Sequence, residues 1–152
     1  MAVLIVLIVS FAGSLGITKL ISNEWNYILS GNIAMCIMLL FTAFGHFRFS
    51  RGMALMIPKF IPNRLELVYL TGFMEVAAAT GLLFPYWRYG VGQFLILFFV
   101  MILPANIYAT IHKLDYQTGK YDGKGVGYLW FRIPMQLFLI AWVWYFSVSG
   151  LN

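Results

Sequence analysis

Residues Leu65 to Phe84 read LELVYLTGFMEVAAATGLLF, a mostly apolar run long enough to cross a bilayer as a single helix. Similar runs extend from Met1 to about Ile21, from Tyr27 to Phe47, from Tyr89 to Tyr108 and from Tyr128 to Ser147. Hydrophobic residues make up 62% of the chain, charged residues 10%, and the mean hydropathy is +0.85, so there are too few polar side chains to cover a soluble globule. An all-α integral membrane protein is expected. It divides into an N-terminal transmembrane helix over residues 1–22 and a four-span membrane domain over residues 27–149.

The first run is either a retained span or a secretory signal. No Lys or Arg precedes its apolar core and no A-x-A site follows it, which favours retention. Ala12 and Gly16 make a small-xxx-small pair suited to helix packing. Between the second and third spans, RFSRGMALMIPKFIPNR is too apolar for a solvated loop and too short for a span. A segment lying in the interface, or dipping back as a flap, is expected there. Pro104 inside the fourth span removes one backbone hydrogen bond, so a kink is expected, with Asn106 satisfying the freed groups. The Gly123-Lys124-Gly125-Val126-Gly127 piece follows no strand and fits no nucleotide fingerprint, so it reads as a flexible loop.

The net charge of +5 does not point to nucleic acid, because the basic residues sit in connections between apolar runs. Arg48, Arg51, Lys59, Arg64, Lys113, Lys120, Lys124 and Arg132 fall on one side of a five-span protein, and only Lys19 and Arg88 on the other. By the positive-inside bias the first side is cytoplasmic, as in a multi-pass bacterial inner-membrane protein, and the tail Gly150-Leu151-Asn152 is outside.

Glu75 stands near the middle of its span, where a carboxylate normally faces other protein or water and finds a partner. Thr71, Gly72, Ala78 and Ala79 surround it as a small-residue face that admits a neighbouring helix, with Leu67, Leu70, Phe73 and Val76 left towards lipid. The alternative is a protonated Glu75 hydrogen-bonded between helices with no further role. At about 1.5 Å per residue, His46, Glu66, Asn106 and Arg132 lie near the cytoplasmic boundary, and Glu75 and Gln136 lie roughly 10 to 15 Å deeper. A polar funnel narrowing to Glu75 follows, with Arg132 and Glu66 as the expected ion pair unless each snorkels separately to headgroups. The outer half reads as apolar apart from Asn32 and Gln93. Cys36, the single cysteine, lies inside an apolar run and is expected to pack.

Gly45-His46-Phe47 ending a span, Pro58 and Ile61-Pro62, Leu67-Val68-Tyr69, Gly72 followed by Glu75, Gly81-Leu82-Leu83, Arg88 and Leu103-Pro104-Ala105-Asn106 together resemble the DoxX-like membrane proteins. The resemblance covers about Ile28 to Phe146. It implies a four-helix transmembrane bundle, to which the first span is an addition. Relatives of that broad family are linked to quinone-reducing sulfur oxidation, to thiol-stress complexes with cytoplasmic enzymes, to maturation of a periplasmic amine dehydrogenase and to receptor assembly in animals. Their common thread is a small helical module that works with another protein. The family pattern singles out His46, Glu75, Pro104 and Asn106.

Three functions follow. An accessory or assembly module, acting with a protein partner or as a homo-oligomer, suits a sequence without paired carboxylates at one depth, a nucleophile with its base, or metal-ligand spacing. Neither a metal nor a cofactor is predicted on that reading. A subunit of a quinone-linked oxidoreductase would use Glu75 and His46 as proton shuttles beside quinone, with haem ligation by His46 and His112 as a variant. A small-solute or proton pathway would run through Glu75 but lacks inverted repeats.

Overall fold

The computed structural model describes residues 2–149. Five apolar helices long enough to span a membrane form one all-helical bundle. The chain is by composition a multi-pass membrane protein. Met1 and the tail Gly150-Leu151-Asn152, expected outside, lie beyond the described residues.

Helix α1 covers Ala2–Ser22 and α2 covers Tyr27–Arg48. The turn between them is set by Asn26, whose side-chain oxygen accepts from the Leu29 N–H at 3.0 Å, satisfying one of the four free amides at the start of α2. A short helix α3 (Ser50–Ala54) follows, then α4 (Arg64–Leu83) and α5 (Pro85–Ile111). Phe84 is extended before Pro85, and Pro85 occupies the first turn of α5, where its missing N–H leaves no bond unmade. The reversal from α4 to α5 therefore needs almost no loop, and Arg88 lies within a helix. A 3₁₀ turn at Val126–Tyr128 leads into α6 (Leu129–Val143), which ends in a π-helical turn at Trp144–Val148.

The most buried of these spans, α2, packs against α1 on one side and α4 on another. Met35, Met38 and Leu39 of α2, Leu82 of α4, Leu95 of α5 and Val143 of α6 fill the core, all at most 1% exposed. The first helix belongs to this core. Leu7 is fully buried, and the Phe11 ring meets the edge of Trp142 at 5.1 Å. Ala12 faces outward and nothing lies within 4 Å of a side chain built at Gly16, so among the described residues that small pair packs on no helix.

At the end carrying most of the basic residues, the two long connections meet. Met56 is buried against Ala109 and Leu114, and a Cβ on Gly52 would run into the Tyr116 carbonyl. The expected interfacial segment is thus a helical turn pinned to the 112–125 connection. At the opposite end, a Cβ on Gly31 would strike the Phe146 ring, so the missing side chain is what lets the π turn approach α2.

Candidate functional site

One group of polar residues, with Glu75 buried at its centre, sits where α2 and α4 run antiparallel. Thr42 and His46 are one turn apart on α2, Thr71 and Glu75 one turn apart on α4, and the antiparallel register sets His46 against Thr71 and Glu75. Thr42 lies beside the Glu75 carboxyl. Gly72 makes the close approach: a Cβ there would come within 2.9 Å of the His46 Cβ. The small-residue face expected around Glu75 is buried at Gly72, Ala78 and Ala79, while Leu70 and Phe73 point outward.

Hydrogen bonding decides how the imidazole is used. His46 Nδ1 lies 3.1 Å from the Val68 carbonyl and 3.0 Å from the Thr71 hydroxyl. A carbonyl only accepts, and the Thr71 hydroxyl gives its own hydrogen to the backbone of Leu67 or Val68, so Nδ1 carries the ring hydrogen. The Nε2 lone pair of the neutral ring then faces Glu75 Oε1 at 3.6 Å, within ion-pair range but too long for a hydrogen bond. A proton can reside on this nitrogen or on the carboxyl, but it is not shared at this separation. The His46 side chain, 17% exposed, is the member nearer the surface, and Glu75, at 4%, is sealed behind it. Glu75 Oε2 is buried with no hydrogen-bond partner among the described residues.

The other expected site residues fall into separate arrangements. Arg132 donates through Nη1 to the Asn106 carbonyl at 3.1 Å and to Asn106 Oδ1 at 3.2 Å, and lies 5.6 Å from the Tyr128 ring centre. Arg132 does not pair with Glu66. Helix α6 packs on α5, so the guanidinium reaches α5, whereas Glu66 is on an exposed face in the first turn of α4. Helix α5 continues unbroken through Pro104, and Asn106 is engaged by Arg132 rather than by the groups Pro104 frees. Gln136 is buried and donates to the Phe99 carbonyl at 2.8 Å, one residue before the carbonyl that Pro104 leaves without an amide. A single funnel to Glu75 is therefore replaced by two polar seams, α2 with α4 and α5 with α6. His112 bonds to its own helix at Tyr108, and no cluster of three metal-ligating side chains forms among the described residues.

A third polar group is built around Asn32, in the half expected to be apolar apart from Asn32 and Gln93. Asn32, fully buried, donates to the Phe146 carbonyl at 2.8 Å and accepts from Ser147 at 2.8 Å, tying the π turn to α2. Trp142 Nε1 donates to the Gly31 carbonyl at 3.1 Å. Arg88, 5% exposed, donates through Nε to the Leu82 carbonyl at 3.1 Å, placing its cation on the negative end of α4.

The family model described as Domain of unknown function (DUF8561) matches residues 35–147. The chain belongs to the DUF8561 family. No protein of curated function and no solved structure matches it. The DUF8561 region opens inside α2 and takes in both polar seams, from Thr42 to Gln136, while α1 and Asn32 precede it.

Proposed function

We propose that this chain is a DoxX-like protein of the bacterial inner membrane, with α2, α4, α5 and α6 as the four-span core, α1 as an added span, and the basic connections in the cytoplasm. It acts as an accessory or assembly module for a partner protein. The observation that carries this reading is the shelf at the basic end. Gly52 against Tyr116 and Met56 against Ala109 and Leu114 hold two connections together as one preformed surface. Its exposed basic residues include Arg51, Lys59, Lys113, Lys120 and Lys124, and Phe60 and Tyr121 are exposed beside them at 84% and 59%. Basic charge with exposed aromatics suits an acidic, partly apolar partner face.

The shelf also reaches the buried pair. Ser50 of α3 shares a hydrogen bond with the Tyr69 hydroxyl at 3.1 Å, and Tyr69 stacks on Phe47, next to His46. Docking on the shelf would thus be felt at His46 and Glu75.

The test is purification from native membranes without harsh detergent, comparing wild type with Arg51→Glu/Lys120→Glu/Lys124→Glu. One stoichiometric partner should accompany the wild type and fall at least tenfold with the triple variant. A wild-type protein that purifies without a partner, and whose absorbance spectrum shows a bound chromophore, would replace this reading with the quinone-linked one.

A further inference from the structure

Where the chain passes from α3 to α4, a groove of about 460 Å³ opens on the outside of the bundle, lined by Lys59, Ile61, Pro62, Asn63, Arg64 and Glu66 among others. A second hollow of about 420 Å³ shares Ile61, Pro62, Asn63 and Glu66 and continues past Leu67 to Leu70. The two make one trough that is charged at its mouth and apolar along its length. From Arg64 to Leu70 is six residues of helix, about 9 Å of depth. Leu70 and, one turn on, Phe73 are 54% and 64% exposed, so the apolar wall carries on along the outer face of α4.

This gradient has the shape of a glycerophospholipid, with its headgroup at the mouth and an acyl chain along α4. Charge selects the headgroup. Lys59 and Arg64 supply two cations, Glu66 supplies one anion, and no salt bridge engages any of the three among the described residues. A phosphodiester suits the cations. The carboxylate would repel a purely anionic headgroup, yet it matches a primary ammonium, which donates charge-assisted hydrogen bonds that a quaternary ammonium cannot. We propose that the Lys59–Arg64–Glu66 groove is a binding site for an aminophospholipid, its phosphate at Lys59 and Arg64 and its ethanolamine ammonium at Glu66.

Native mass spectrometry of the full chain in mixed micelles tests this, with phosphatidylethanolamine, phosphatidylcholine, phosphatidylglycerol and diacylglycerol of identical chains. Wild type should retain phosphatidylethanolamine about fivefold over phosphatidylcholine, the scale expected of one charge contact near the surface. Glu66→Gln should bring that ratio close to one while leaving phosphatidylglycerol binding undiminished. Lys59→Ala/Arg64→Ala should weaken all three phospholipids by roughly twentyfold. Equal retention of phosphatidylethanolamine and phosphatidylcholine by wild type would overturn the assignment, as would diacylglycerol binding as well as either or Glu66→Gln keeping the preference.

Discussion

Replacing Glu75 with methionine asks whether its carboxyl fastens α4 to α2 or is kept for something else. Methionine has nearly the same length and is unbranched, so it fills the same space with no polar atom. What it gives up is a 3.6 Å approach to His46, longer than a hydrogen bond, and the neighbouring Thr42 hydroxyl, which donates to the backbone of its own helix. Interhelical polar contacts in membranes average about 0.6 kcal/mol even when well formed, so this loss is of that order or less. What it removes is Oε2, a buried oxygen without a hydrogen-bond partner among the described residues, an arrangement that costs about 1 to 3 kcal/mol. His46, being 17% exposed and already hydrogen-bonded through Nδ1 to the Val68 carbonyl, is not left sealed without a partner when the carboxyl goes. The net expectation is that Glu75→Met matches wild type or exceeds it by up to ~2 kcal/mol, as happens when buried ion pairs are replaced by apolar groups of similar volume. Glu75→Ala, which leaves a void, should fall about 2 kcal/mol or more below Glu75→Met. Reversible unfolding in mixed micelles, titrated with a denaturing detergent, measures all three, and recovery of the proposed partner on the same samples reads the proposed function. A Glu75→Met protein less stable than wild type by more than about 1 kcal/mol would refute the reasoning and make the carboxyl a structural fastener.

Gly31→Val should destabilise by roughly 1 to 3 kcal/mol, because the added side chain meets the Phe146 ring, and the same unfolding titration reads it. Asn32→Ala and Ser147→Ala should each destabilise, and their double variant should fall short of the sum by about 0.6 kcal/mol, the coupling of their shared hydrogen bond. Cys36 is buried, so single cysteines introduced elsewhere can be labelled without background. Arg51→Cys and Lys120→Cys should react with an impermeant thiol reagent only after cells are opened and Tyr86→Cys in intact cells; the reverse pattern would invert the proposed orientation.

The spans were legible because each is a long apolar window, and a helix crossing lipid needs little else. Their ends were less so. Pro85 starts α5 immediately after α4, which draws Arg88 out of the expected connection between spans into a helix, where the Leu82 carbonyl holds it. Glu75 and His46 stood out singly as polar groups in apolar runs. That they meet depends on the register between α2 and α4, which no single span encodes. Thr71 was already placed on the face around Glu75, and Thr42 could have been found as well, since it lies one turn from His46 on the same face. Glu66 and Arg132 were matched by depth alone, and depth does not say which helices touch. The buried group around Asn32 escaped notice because Ser147 looks unremarkable until the π turn brings it opposite.

Gly52 lies against the backbone of Tyr116, and that contact has a mechanical consequence. Two stretches more than sixty positions apart in the chain cannot slide past each other there, so a load applied to either is transmitted to both. A protein that grasped only the glycine-rich connection after α5 would still tug on the ends of α2 and α4, and through them on the histidine between them.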